Sequence, residues 1–168
     1  MRVDDEIVAC IPGLRRYARG LASERDLADD LVQDTLERAW SKFSLWQRRG
    51  DVRAWMFGIM HNLFVDRVRS QRSRPEDSAG DDLPEVPDRA TQSDRLEVRD
   101  LDRLLQRLPT EQREVLLLVG VEELSYLDVA VVLGVPIGTV MSRLSRARER
   151  LRNELEGRKV VSRMQRVK

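Results

Sequence analysis

Apolar positions recur along this chain at three- and four-residue spacing almost from end to end, which predicts helices. Ile7, Ile11, Leu14, Ala18 and Leu21 form a first stripe, with Pro12 inside it predicting a kink or a later start. A second helix is expected from about Asp26 to Phe43, on Leu27, Leu31, Leu36, Ala39, Trp40 and Phe43. A third is expected from about Asp51 to Gln71. Its apolar residues, Val52, Trp55, Met56, Ile59, Met60, Leu63, Phe64 and Val68, cover most of its circumference. A helix apolar nearly all round belongs at the centre of its lobe. The break at Ser44–Gly50 reads as a loop.

The pattern then stops. Residues 74–92 hold three of the six prolines and six acids against two arginines, net −4, with no apolar period. Such a segment buries too little to offset its chain entropy and is expected to be flexible. Beyond it the period resumes with Leu96, Leu101, Leu104, Leu105 and Leu108. Pro109 ends that helix and Thr110 is a candidate cap for the next, centred on Val115–Val119. Ser125-Tyr126-Leu127-Asp128 has the form of a capping box. The short helix it opens ends at Gly134, and Pro136 suits the first turn of a last helix through Ile137, Val140, Leu144, Ala147 and Leu151. The expected fold is all-α. Two small helical domains, residues 1–73 and 93–168, are joined by a flexible acidic linker at 74–92.

Composition narrows the chemistry. One cysteine, Cys10, and one histidine, His61, leave too few ligands for a structural zinc site, and no disulfide framework is possible. No nucleophile–base pair or glycine-rich phosphate loop is present, so neither an enzyme nor a cofactor is expected. No run reaches the ~18 apolar residues of a membrane span, and the N-terminus lacks a signal peptide's apolar stretch, so a cytoplasmic location is expected. His61 and Cys10 read as structural residues.

The net charge of +1 hides segregation. Residues Arg143–Lys168 carry ten basic and three acidic residues, whereas Ser93–Ser142 sum to −4. A short helix, a turn with Gly134 and a longer basic helix make a helix-turn-helix, whose second helix reads the major groove. Thr139, Ser142, Arg143, Arg146, Arg148 and Arg150 are expected to project from its apolar stripe toward DNA. In the first lobe, Asp30, Gln33, Asp34 and Glu37 form a polar stripe, either a water-facing side or a docking surface for a basic partner. Trp46, Arg48, Arg49 and Asp51, with the basic end of the third helix (Arg67, Arg69, Arg72, Arg74), suit single-stranded nucleic acid. Trp46 reads equally as a core residue; Trp55 reads as core.

With these residues in order, the chain resembles the extracytoplasmic-function (group IV) sigma factors of bacterial RNA polymerase. The resemblance rests on Asp30-Leu31-Val32-Gln33-Asp34-Thr35-Leu36 with Arg38-Ala39-Trp40, on Arg53-Ala54-Trp55-Met56 with Ile59-Met60-His61-Asn62, and on the run from Leu108-Pro109 to Arg146-Ala147-Arg148. It implies a subunit that directs core polymerase to promoters. Asp30, Leu31, Gln33, Asp34, Glu37 and Trp40 would lie on or support the face that meets the β′ clamp helices, and the β flap would be a second contact. Trp46, Arg48, Arg49, Asp51, Asn62, Arg67 and Arg69 would hold minus-ten DNA and a flipped base. Thr139, Ser142, Arg143, Arg146 and Arg148 would contact the minus-thirty-five element. An anti-sigma factor is a further implied partner. Leu127 and Val131-Val132 stand where the family often has acids, so a partner is expected to cover Val131 or Val132. The tail 158–168 has no family counterpart and is expected to fray. The alternatives are a stand-alone helix-turn-helix regulator and a sigma-mimicking adaptor.

Overall fold

A computed structural model describes residues 2–46, 50–73 and 92–166, and all the regular structure among them is helical. The segment 74–91, most of the expected linker, lies outside them. The first three helices are α1 (Val3–Leu21), α2 (Arg25–Trp46) and α3 (Val52–Arg72). Helix α1 runs unbroken through Pro12. Three acids in its first turn, Asp4, Asp5 and Glu6, favour the helix N-terminus. Helix α2 continues three residues past Phe43, so Trp46 closes a helix rather than standing in a loop. What holds that last turn is an aromatic cluster. Trp46 stacks on Trp55 with centroids 5.2 Å apart, and Phe43 lies 5.7 Å from Trp46 and 6.2 Å from Trp55. The three helices pack on one another pairwise, so α3 is not the lobe's sole centre: it buries Met56, Phe57, Ile59 and Met60, whereas α1 buries Ile7, Cys10, Leu14, Tyr17, Ala18 and Leu21.

The second lobe holds α4 (Gln92–Arg107), α5 (Thr110–Leu116), α6 (Tyr126–Leu133) and α7 (Ile137–Arg166). Gln92, assigned above to the linker, is the first residue of α4. Thr110 is not a cap: Pro109 occupies that position with φ −53°, and Thr110 is the first helical residue. The fixed ring suits a helix entrance, because the N–H it lacks would have had no helical partner. Ser125 does cap α6, its hydroxyl accepting from the Asp128 N–H at 3.1 Å. Gly134 closes α6 at φ 65°, the left-handed region. Helix α7 does not fray at 158 but continues to Arg166. The helix is tied to α4 by Arg107–Glu154 at 3.0 Å and, where the extension begins, by Arg158–Asp100 at 3.5 Å.

Helix α5 runs into a π-helical turn, Leu117–Val121, after which Glu123 takes φ 55°. A non-glycine residue there costs roughly 1–2 kcal/mol, partly offset by the entropy a glycine loses. Glu123→Gly is therefore expected to stabilise the fold by about 0.5–1 kcal/mol, seen as a rise of a few degrees in Tm. A lower Tm would mean that the Glu123 side chain holds something in place.

The two lobes share one hydrophobic core. Buried residues of α1 and α3 (Tyr17, Phe57, Met60) are continuous with those of α5 to α7 (Val115, Leu118, Val129, Val140). Helix α6 lies along α3, and α1 touches α4, α5 and the π-turn. This closure was not an expectation of the sequence, whose apolar periods are local.

Candidate nucleic-acid and polymerase interfaces

On the first lobe, α1 and α2 enclose an open groove of about 1000 Å³. Val32, Leu36 and Trp40 supply its apolar surface, Glu37 and Asp29 with the neutral Gln33 a polar, partly acidic side, and Arg15, Arg19 and Arg25 a basic side. Trp40 is 48% exposed, a large aromatic surface held half in water. The heptad-like spacing of Gln33, Glu37 and Trp40 brings these residues together as expected. Two other residues of that stripe go elsewhere. Leu31 is buried in the core and supports the face without reaching it. Asp34 pairs with Arg67 of α3, and Arg67 also donates to the Leu27 carbonyl at 3.4 Å. One ion pair thus joins a residue assigned to polymerase with one assigned to DNA. Asp30 is exposed and lies outside the groove lining. The arginine side of the groove was missed, because Arg15 and Arg19 flank the apolar stripe that identified α1 and are not part of it.

At the other end of the lobe, Asn62 and Arg69 are exposed on α3. Asp51 caps α3, accepting from the Arg53 N–H at 3.0 Å, so its carboxylate is already engaged. Trp46 is partly buried in its aromatic cluster. Arg48, Arg49 and Arg74 fall outside the described residues.

On the second lobe, Ser142, Arg146, Arg148 and Arg150 are exposed on α7. The turn at Gly134 sets α7 steeply across α6, with 101° between them. Arg143 departs from expectation. It flanks Val140 and Leu144 rather than projecting, is only 21% exposed, and lies 3.6 Å from Glu111 of α5. Thr139 is partly buried, and its carbonyl accepts from the Ser142 hydroxyl at 3.1 Å. The apolar departures on α6 separate cleanly. Val132 is covered by the chain's own core, whereas Val131 is 80% exposed and Leu127 also faces water. No single helix among the described residues is long and apolar enough to cross a membrane.

Polar contacts cross between the lobes. The Arg16 guanidinium donates to both oxygens of Glu122 at 3.0 Å, and Arg53 donates to one of them at 2.9 Å. The Tyr17 hydroxyl donates to Glu114 at 3.2 Å, and the His61 Nδ1 lies 2.6 Å from the same oxygen. Burial, aided by the charge on Glu114, pushes the Tyr17 phenol well above its usual range. The stability tied to its neutral form is present below the ordinary phenol range and is lost as the pH rises through the raised value. His61 is structural, as expected, but between lobes. Cys10 is a buried small hydrophobe whose thiol donates to the Glu6 carbonyl at 3.2 Å.

Two family models match the chain: the Sigma2 domain of PhyR over residues 7–61, and Sigma-70, region 4, over residues 99–151. Among curated proteins it is 40% identical to the ECF RNA polymerase sigma factor EcfG of Rhodopseudomonas palustris, over 88% of this chain and 81% of that one. It is 35% identical to the ECF RNA polymerase sigma factor SigC of Mycobacterium tuberculosis, over 77% and 70%. Among solved structures it matches the sigma factor RpoE of Bartonella quintana, in complex with the anti-sigma factor NepR. The TM-score is 0.79 and the identity 37%, over 91% of this chain and 96% of that one. CnrH in complex with the cytosolic domain of CnrY matches at TM-score 0.65 and 29% identity, over 86% and 81%.

Proposed function

The chain belongs to the extracytoplasmic-function sigma factors of RNA polymerase, and from that premise we propose how its surfaces divide the work. A sigma factor directs core polymerase to particular promoters and starts transcription there; it is a specificity subunit, not a catalyst. The groove lined by Gln33, Glu37 and Trp40 receives the β′ clamp helices, with Arg15 and Arg19 on its far side. Asn62 and Arg69, with Trp46, Arg48, Arg49, Asp51 and Arg67, serve the minus-ten element. Ser142, Arg146 and Arg148, exposed on α7, serve the minus-thirty-five element, with Thr139 and the Glu111-paired Arg143 beside them rather than as direct readers, and the second lobe meets the β flap. The observation that carries this reading is the order of the parts: an aromatic-floored groove on one lobe and an exposed arginine helix after a Gly134 turn on the other. An anti-sigma factor is a fitting regulator, since two similar structures, RpoE with NepR and CnrH with CnrY, were solved as complexes, the first named as an anti-sigma complex.

Run-off transcription with purified core polymerase and genomic promoter fragments tests this. Initiation at a discrete set of promoters is expected. Binding to core without initiation on any fragment would instead favour an adaptor that mimics a sigma factor. Arg146→Ala is expected to reduce discrimination at one minus-thirty-five base pair by about 1–3 kcal/mol. A loss that is uniform across sequences would assign Arg146 to phosphate.

A further inference from the structure

Glu111 and Arg143 meet across the seam between α5 and α7, with a terminal nitrogen of Arg143 3.6 Å from a Glu111 carboxylate oxygen. Packing fixes their relation. Val115 follows Glu111 by one turn on the same face of α5, and Val140 and Leu144 flank Arg143 on α7; all three are 2% exposed or less. A close-packed seam of this kind leaves neither helix free to slide or rotate. Glu111 also stands in the first turn of α5, where the helix N-terminus favours an acid. Its side chain is 70% exposed, whereas that of Arg143 is only 21% exposed. The arginine, not the acid, is the partner drawn out of water.

Arg143 stands among the residues assigned to promoter DNA. On the helix surface its neighbours are Thr139, four residues before it, and the exposed Arg146, three after; exposed Ser142 precedes it. Two opposing effects decide whether it joins them. A guanidinium that reaches a guanine edge with two bonds favours that base roughly 5- to 150-fold. To get there, Arg143 must leave its covered place. Arginine stems cover apolar surface, and each methylene returned to water shifts the equilibrium about fourfold. The ion pair is itself worth about 1.5- to 5-fold. Two methylenes returned with the pair broken would shift it roughly 25- to 80-fold. The opposing effects are therefore of one size, and the carboxylate tips them toward α5.

We propose that Glu111 is a specificity-determining residue, which holds Arg143 off the minus-thirty-five bases so that Ser142, Arg146 and Arg148 read the element without it. This rests on the sigma-factor reading. Glu111 belongs to α5, outside the helix-turn-helix, and touches no base. Promoter choice then depends on an acid that withholds a donor rather than on one more contact, and specificity is set as much by what is withheld as by what is offered. Loss of the carboxylate alone adds a base pair to the element.

The test uses holoenzyme assembled from core polymerase and the full chain, transcribing a promoter library randomised through the minus-thirty-five region. Sequencing the transcripts gives the discrimination at each base pair. Wild-type chain is compared with Arg143→Ala, Glu111→Ala and the variant carrying both changes. Glu111→Gln is a second route to the same release, so the result does not hang on one variant's folding. Arg143→Ala is expected to leave every base pair within about twofold of wild type. Glu111→Ala and Glu111→Gln are each expected to raise discrimination at one further base pair by about two- to fivefold, the worth of the pair. That gain is expected to vanish when Arg143→Ala is added, which a merely structural role for Glu111 would not produce. Two results would overturn the proposal: a loss beyond about twofold at any base pair in Arg143→Ala alone, or an unchanged profile in both Glu111 variants. Failure of the sigma-factor reading looks different, because the wild-type holoenzyme would then select no minus-thirty-five sequence at all.

Discussion

Arg113→Met is expected to destabilise the protein by about 3–5 kcal/mol, the largest effect of any single side chain outside the apolar core. Its guanidinium is nearly buried and donates four hydrogen bonds to main-chain carbonyls. Nε reaches Leu105 at 2.9 Å, one terminal nitrogen reaches Leu21 at 3.1 Å, and the other reaches Gln106 at 3.3 Å and Leu108 at 3.1 Å. Three of these carbonyls belong to the end of α4 and the turn after it, where helical acceptors lose their own donors. The fourth ends α1 on the other lobe. Burial lowers the Arg113 pKa against the opposing pull of Asp102 and Glu114, yet arginine's intrinsic basicity keeps it charged. Methionine fills similar space and donates nothing, so the carbonyls lose charge-assisted partners together. Urea unfolding should show the loss directly, and thermal unfolding as a fall of about 10 °C. A change below about 1 kcal/mol would mean that water replaces the guanidinium at little cost.

Trp40→Ala is expected to weaken core-polymerase binding about 30-fold while leaving the fold intact. Large aromatics in a groove with a charged rim are the usual anchors of an interface, each worth about 2 kcal/mol or more on truncation. Trp40 combines an apolar groove beside Val32 and Leu36 with charged walls on both sides. Half its surface is already in water, so removal should move Tm by no more than a few degrees. Trp40→Phe should recover much of the binding. Equal affinity of the wild-type and alanine chains for core would remove the groove from the interface, whatever the run-off assay shows.

Local patterns made much of the molecule readable in advance. The α3 stripe announced a helix, Ser125 and Gly134 marked both ends of α6, and exposed Arg146 and Arg148 followed from the stripe of Val140 and Leu144. Where partners are distant, the same reasoning failed. Glu122-Glu123 looks like an ordinary acidic pair in sequence, yet one is buried against Arg16 and Arg53 while the other faces water. Nothing within several residues of either distinguishes them. Arg143 was expected on the DNA face, but Glu111, on a different helix, draws it aside. Trp46 was read as a loop residue because its stacking partner, Trp55, lies across a chain break in the periodic pattern.

The closed contact also orders events in time. Tyr17 finds Glu114 only 97 positions later along the chain. At roughly 5–20 residues per second of synthesis, the first lobe leaves the ribosome about 5–20 seconds before the surface that covers it exists. During that interval the Tyr17 hydroxyl and the His61 ring lack their Glu114 partner, so each newly made molecule begins with its lobes apart. A nascent-chain partner that recognises this face would have its best opportunity before translation ends.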